Sequence, residues 1–263
     1  MKVSFIGFGN MANALAKGLL RHDRYTIYAS APSLIQERNV VGIFTSPDNL
    51  SVIQNADIII LAVKPAMISQ VWTEISDQLP KNALVISIAT GIKLAWFRAH
   101  SPNQSLIRAM PNIAASVKES ATPLIANDKA TEKEKEIAEH IFKTVGITTW
   151  VNQEEDIDSY TAFSGSGPAY ALLLIEAMIA AAVDFGISED IAKRFALQTV
   201  QGALSVATKS ELPLATLRNM ITSPNGTTAA ALQVFEEHEF EQLVHTAMKA
   251  ARDRARQLGN EVV

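Results

Sequence analysis

Cysteine is absent from this 263-residue chain, which excludes a disulfide framework, a thiolate zinc site, an iron–sulfur cluster and a cysteine nucleophile. An excess of one charge is lacking too. The 23 Lys and Arg stand against 27 Asp and Glu, for a formal net charge of −4, so there is no broad basic field for nucleic acid. There is no H-E-x-x-H, no paired-histidine motif and no Ser/His/Asp signature; the five histidines (His22, His100, His140, His238, His245) fall outside every motif and no metal site is expected. Residues 1–20 place a strand-like run and glycines where a signal peptide needs an apolar core and a cleavage site, so a cytoplasmic location is expected. Internal repeats, low-complexity tracts and long linkers are missing as well. What remains is a chain that is 48% hydrophobic, enough for a sizeable core, at a length that allows one large domain or two unequal ones.

The first 110 residues alternate short apolar runs with amphipathic stretches. Val3-Ser4-Phe5-Ile6 reads as a buried strand that stops at Gly7, and residues 12–20 have helical spacing. Tyr25-Thr26-Ile27-Tyr28-Ala29 is a second strand, rich in aromatic and β-branched types. A short third strand is expected around Ile43-Phe44. Residues 57–63 are apolar on both faces, as in the middle of a parallel sheet covered on each side. Residues 84–89 and 105–109 follow as further strands, a weaker one lies near 122–126, and residues 147–151 form the last. Between these, Thr131-x-x-Glu134 is a capping box that opens a helix. Strands alternating with helical patterns imply βαβ units and an α/β, doubly wound sheet. Beyond Glu154 the strand signal disappears, and helices are expected at about 157–186, 188–209, 213–221, 227–236 and 239–258. The change of type places a domain boundary at 155, with domains 1–155 and 156–263.

Gly7-Phe8-Gly9-Asn10-Met11-Ala12 follows the first strand and opens the first helix. The first glycine allows a tight turn, the second lets backbone approach a pyrophosphate, and Ala12 is small enough for helix–strand packing. The helix start then offers free N–H groups and positive dipole to phosphate. A purely structural glycine turn is the plain alternative. NAD-binding sheets usually carry Asp or Glu at the end of the second strand; here it ends Tyr28-Ala29-Ser30-Ala31-Pro32-Ser33, with no carboxylate. A neutral, hydroxyl-bearing turn does not repel a 2′-phosphate. Ser30 is therefore expected to donate to one, with Arg38 as a second candidate that a solvated surface role fits equally. The cofactor expected is NADP(H), with NAD(H) second.

Ala62-Val63-Lys64-Pro65 comes after the strand at 57–63, Arg108-Ala109-Met110-Pro111-Asn112 after the fifth strand, and Ser164-Gly165-Ser166-Gly167-Pro168-Ala169-Tyr170 opens the helical part. Ile221-Thr222-Ser223-Pro224-Asn225-Gly226-Thr227-Thr228 follows, continued by Ala231-Leu232 and Phe235-Glu236. With the glycine turn, these runs span almost the whole chain in the order and spacing of the pyrroline-5-carboxylate reductases, and the sequence resembles that family. It departs in having Asn225 where the family most often has glycine, and Ala89-Thr90-Gly91 in place of the commoner small pair before its glycine. Asn tolerates left-handed backbone better than other non-glycine residues, so the turn at Asn225 remains feasible.

The resemblance implies a Rossmann-type sheet domain followed by an all-α dimerisation domain, and reduction of 1-pyrroline-5-carboxylate to proline, the last step of proline biosynthesis. It implies cofactor contacts at Gly7, Phe8, Gly9, Asn10, Met11, Ser30, Asn49, Ala62, Val63, Lys64, Pro65, Ala89, Thr90, Met110 and Asn112. It also implies that residues 225–228 hold the substrate carboxylate and that Glu154 stands near the imine nitrogen, while the Gly-rich helix entrance at Ser164-Gly165 would let backbone approach a ring or a nicotinamide closely. The chemistry asks the site to hold a carboxylate, align a ring with the nicotinamide and exclude water. Asn225, Gly226, Thr227 and Thr228 precede Ala229-Ala230-Ala231-Leu232, so helix-start N–H groups with the Thr228 hydroxyl make an anion site; a plain N-cap is the competing reading. Thr228, Ser164 and Glu154 are the catalytic candidates. Glu154 has the alternative of a solvated acidic helix start beside Glu155, Asp156 and Asp158, and Ser164-Gly165 that of tight helix packing. Lys64 has a solvent role as its alternative and Asn49 is otherwise an ordinary loop residue, while Tyr160 and Tyr170 read as structural.

Residues 169–185 are apolar almost all round. Their length approaches a membrane span, but Glu176, Asp184 and the preceding Ser/Gly turn oppose that. A helix apolar on every side needs partners on every side. The resemblance implies a homodimer, with a larger ring as an extension and each site near the partner's helices. No membrane and no nucleic-acid partner is expected. Two other readings stand beside the leading one: another imine or β-hydroxyacid reductase, which would carry different substrate-loop signatures, and an NADP(H)-binding regulator without turnover, which would show a degraded loop at 225–228.

Overall fold

The computed structural model describes residues 1–38 and 41–261. By contacts the chain forms two compact units, Met1–Pro168 together with Ala250–Val263, and Ala169–Lys249.

Among the described residues, the first unit holds a nine-stranded sheet flanked by helices. In chain order its elements are β1 (Lys2–Ile6), α1 (Asn10–Leu19), β2 (Thr26–Ser30), β3 (Glu37–Arg38), β4 (Phe44–Ser46), α2 (Asn49–Ile53), β5 (Ile58–Leu61), α3 (Ile68–Ile75), β6 (Leu84–Ser87), α4 (Leu94–His100), β7 (Leu106–Ala109), β8 (Ser120–Ala126), α5 (Glu132–Lys143), β9 (Gly146–Trp150) and α6 (Glu154–Tyr160). The strands lie in the order β3-β4-β2-β1-β5-β6-β7-β8-β9. Strands β4 to β7 and β1, β2 run parallel, β8 is antiparallel to β7, and β3 is antiparallel to β4. The order reverses at β1 and β5, and that switch point is where open α/β sheets take ligands, beyond the carboxyl ends of their strands.

Strand β5 justifies its apolar run: Ile58 and Ile60 face one layer with Phe5, Leu15 and Phe142, while Ile59 and Leu61 face the other with Trp72, Phe97 and Ile157. The capping box forms as read, with Thr131 Oγ1 accepting from Glu134 N and Glu134 Oε2 accepting from Thr131 N. Three details differ from the sequence reading. The third strand is Phe44–Ser46, joined by the two-residue β3. The weak strand near 122–126 is seven residues long. The single helix expected at 157–186 is three pieces, α6, a π-helical turn at Thr161–Gly165 and α7 (Gly167–Asp184). The break follows from Ser166 N donating to Thr161 O, five residues back, at 2.8 Å.

The contact division also falls beyond residue 155. Helix α6 stays with the sheet because Ile157 is buried in the layer of Trp72 and Phe97, and because its carboxylates pair with Arg108 of β7. The last residues return to the sheet unit at Gly91, whose φ is +82°; a Cβ there would lie 2.9 Å from Gly259 N.

The second unit contains most of α7, α8 (Glu189–Lys209), α9 (Leu214–Met220), α10 (Thr227–Glu237) and the first half of α11 (Phe240–Glu261). Its buried apolar residues among those described are Ala192 and Ala196, whereas Leu173 is 65% and Phe195 67% exposed. Helix α7 buries none of its residues. The stretch Glu154–Asp184 is long and apolar enough to cross a membrane by length and composition, yet Glu176 and Asp184 lie within it.

Candidate functional site

The glycine turn sits at the switch point. Gly7 has φ +86°, and a Cβ there would lie 2.8 Å from both Ala62 O and Val63 Cγ1. Only glycine lets the turn after β1 close onto the run Ala62-Val63-Lys64-Pro65 after β5. Gly9 is the N-cap of α1 with no side chain capping it, and a Cβ at Gly9 would meet nothing within 4 Å. The first N–H groups of α1, from Asn10 and Met11, are thus uncapped beneath open space, which fits a pyrophosphate. Phe8 packs its ring edge on Phe5 at 6.2 Å. Lys64 is exposed and precedes a 3₁₀ turn that starts at Pro65.

At the end of β2 the outcome differs from the sequence reading. Ser30 is fully buried, and its Oγ donates to Asn49 Oδ1 at 2.7 Å. It therefore orients Asn49 rather than touching a phosphate itself. Asn49 is the first residue of α2, whose start is fixed by Asp48 accepting from Leu50 N and Ser51 N. On its other side Asn49 Nδ2 donates to Glu74 Oε2 of α3 at 2.8 Å. Glu74 carries no sequence signal: the contact spans 25 positions and joins two helices. The Arg38 side chain lies outside the described residues.

A second cluster gathers beyond the carboxyl ends of β6 and β7. Ala89 is buried, and Thr90 Oγ1 donates towards Met110 Sδ at 3.7 Å. A Cβ at Gly165 would stand 3.4 Å from Met110 Cε, so the π turn lies against Met110. Asn112 ties the two runs together. Its Nδ2 donates to Ser164 O at 2.8 Å, its Oδ1 accepts from Ala114 N, and its backbone N donates to Ser120 Oγ. Asn112 is 7% exposed, so its amide acts mainly as a clasp between Met110-Pro111-Asn112 and the π turn. Ser164 Oγ donates to Tyr160 O at 3.0 Å within the same turn. This bond engages its proton within the π turn.

Glu154 is also committed. Its Oε1 accepts from Arg108 Nη1 at 3.0 Å and from Leu94 N at 2.6 Å. Arg108 is 2% exposed and reaches Asp158 Oδ1 at 3.5 Å with Nη2. The acidic start of α6, read as a solvated surface or an imine contact, is thus partly an internal ion network joining β7, α4 and α6. Through Oε1, Glu154 positions the Arg108 side chain and the start of α4.

In the helical unit, Asn225 adopts φ +59°, the left-handed conformation its type allows. Gly226 follows as N-cap of α10; a Cβ there would clash with Ser223 Oγ. No side chain caps α10, and Ala230 N is the first to bond back, to Gly226 O. The N–H groups of Thr227, Thr228 and Ala229 are left without helical partners. Among the described residues the half-buried Thr228 hydroxyl has no hydrogen-bond partner. A compact anion, such as a carboxylate, matches this arrangement.

Comparison with known proteins gives a consistent picture. Residues 154–258 match the family model for pyrroline-5-carboxylate reductase dimerisation, and residues 2–91 match that for NADP oxidoreductase, coenzyme F420-dependent. The chain is 38% identical to a pyrroline-5-carboxylate reductase of Pseudomonas aeruginosa, over 99% of this chain and 98% of that one. It superimposes on a pyrroline-5-carboxylate reductase from Coxiella burnetii with TM-score 0.88 and 36% identity, covering 97% of each chain. The Plasmodium falciparum pyrroline carboxylate reductase with NADP bound gives TM-score 0.89 and 31% identity, covering 98% of each.

Proposed function

This chain belongs to the pyrroline-5-carboxylate reductase family, and from that premise we propose how its own residues carry out the reaction. The enzyme reduces the C=N bond of 1-pyrroline-5-carboxylate to give proline and uses NADP(H). When bound, NADPH supplies the hydride that adds to the ring carbon of the C=N bond; the protonated ring nitrogen becomes the secondary amine.

The open backbone at Gly9 and the uncapped start of α1 hold the pyrophosphate, with Phe8, Asn10 and Met11 lining the turn. Asn49, oriented by Ser30, meets the adenosine ribose, and Lys64 with Ala62, Val63 and Pro65 borders the crevice at the switch point. Thr90, Met110 and Gly165 form the wall for the nicotinamide, where the missing side chain at Gly165 admits a ring. Backbone at Ala89 and the clasp at Asn112 keep that wall in place. The N–H groups of residues 227–229 and the Thr228 hydroxyl anchor the substrate carboxylate. Such an anchor needs no arginine, and a fixed carboxylate aligns the C=N carbon for transfer. The uncapped start of α10, with a partner-free Thr228 hydroxyl beside it, is the observation that carries this assignment.

The helical unit mediates self-association, as its match to the dimerisation model supports. We extend this to a homodimer as the minimum unit, with the exposed apolar faces of α7 as its cover, and to a cytoplasmic location. Following NADPH absorbance with pyrroline-5-carboxylate, and then with small keto acids, tests the reaction. Oxidation of NADPH by the imine acid alone is expected; turnover of keto acids without it would overturn the assignment.

A further inference from the structure

The end of β2 lacks the acidic residue that NAD-binding sheets place there. The fold nonetheless links a carboxylate from another helix to that strand end through one intervening side chain, Asn49. Glu74 of α3 accepts from Asn49 Nδ2 at 2.8 Å, and Asn49 Oδ1 accepts from Ser30 Oγ at 2.7 Å. A carboxylate only accepts, so the amide nitrogen must face Glu74, and the carbonyl is left for the serine hydroxyl. The row Ser30–Asn49–Glu74 is therefore polarised in one sense and runs from the buried strand end out to solvent. Asp48, the nearest other carboxylate in sequence, is committed to the N–H groups of Leu50 and Ser51. Glu74 is the carboxylate hydrogen-bonded to Asn49 itself.

We propose that Glu74 is a specificity-determining residue: its carboxylate weakens selection for a 2′-phosphorylated adenosine and lets the site accept the unphosphorylated cofactor as well. This rests on the assignment of the β2 end to the adenosine ribose. Two effects act in the same direction. A carboxylate accepts a hydrogen bond from a ribose 2′-hydroxyl, as an acidic residue on β2 would. It also repels a 2′-phosphate, whose charge is between about −1.5 and −2 near neutral pH. At contact distances in water each unit charge pair is worth about a factor of five to ten at low ionic strength. Removing the Glu74 charge should therefore change the discrimination about tenfold.

The test is isothermal titration of the full-length protein with NADP⁺ and with NAD⁺, for wild type and Glu74→Gln, at about 20 mM and about 500 mM salt. Because Glu74 is exposed, the variant should keep the wild-type melting temperature. The ratio Kd(NAD⁺)/Kd(NADP⁺) is expected to rise about tenfold in Glu74→Gln at low salt, and the difference should shrink at high salt as screening takes over. A ratio within twofold of wild type, with both cofactors still binding, would overturn the proposal. So would equal weakening of both cofactors, which would mean that Glu74 only holds Asn49 in place. Failure of wild type to bind either cofactor would instead overturn the cofactor assignment itself. Glu74→Lys serves as a second variant and should exceed Glu74→Gln in the same direction.

Discussion

Replacing Glu154 separates a positioning role from a catalytic one. Glu154→Ala removes the acceptor of both Arg108 Nη1 at 3.0 Å and Leu94 N at 2.6 Å. Arg108, 2% exposed, is then left with the 3.5 Å contact to Asp158. Breaking a buried ion pair from one side costs about 3–5 kcal/mol, since a charge stays buried without its partner. For a unit of this size, each kcal/mol shifts the melting temperature by about 2–4 °C, so a fall of about 6–20 °C is expected. Glu154→Gln keeps a carbonyl oxygen for both donors but loses the charge. Hydrogen bonds to charged groups exceed neutral ones by about 1 kcal/mol each, which gives a loss of about 2 kcal/mol, or about 4–8 °C. The assay pairs differential scanning calorimetry with kcat measured well below the transition. Glu154→Gln should retain kcat within about threefold while its transition falls. A hundredfold loss of kcat with an unmoved transition would refute the positioning role and restore a direct contact with the imine.

Thr228→Ala should raise KM for pyrroline-5-carboxylate at least about tenfold, as expected for loss of a hydrogen bond to a charged group, with KM for NADPH little changed; an unchanged substrate KM would remove Thr228 from the anchor. Burial, then the charges of Arg24, His22 and Lys143, holds the His140 imidazole below its ordinary value of 6.5. The unfolded chain therefore binds that proton at a higher pH than the folded one, so stability should be lost as pH falls below about 6.5. Thermal melts between pH 8 and 5.5 should show a smaller fall in His140→Gln than in wild type. On α7, Leu173→Lys should shift the protein towards monomer in light scattering and abolish activity; a fully active monomer would contradict the role given to this helix.

The sheet was legible because its strands are apolar on both faces and because turn chemistry at Gly7 and the Thr131 cap are local signals. Asn225 was readable for the same reason, since its backbone preference is a property of one residue. The π turn was not, because a single hydrogen bond from Ser166 to Thr161 decides it within a stretch of uniform helical periodicity. Nor was the antiparallel entry of β8, which depends on pairing rather than on composition. In the site, the glycine turn and the start of α10 announce themselves through sequence order. The internal partners of Ser30, Glu154 and Ser164 were not legible, because they come from elsewhere in the fold: Asn49 from α2, Arg108 from β7 and, for Ser164, the preceding turn. Glu74 gave no signal at all, being one exposed glutamate on an amphipathic helix until the fold sets it beside Asn49.

The contact between Gly91 and Gly259 has a consequence for how the chain is made. The sheet unit is discontinuous: it is left at Pro168 and rejoined at Ala250. During synthesis, which proceeds from the N-terminus and lets domains fold as they emerge, the strands can pair early. The glycine after β6 must then wait for the last helical turn, until the whole helical unit has been translated. Gly91 at φ +82° with its face open would be a nascent-chain weak point, protected only on release. Ribosome-stalled chains ending before residue 250 should accordingly be cut by protease in the segment after β6, and released full-length chains should not.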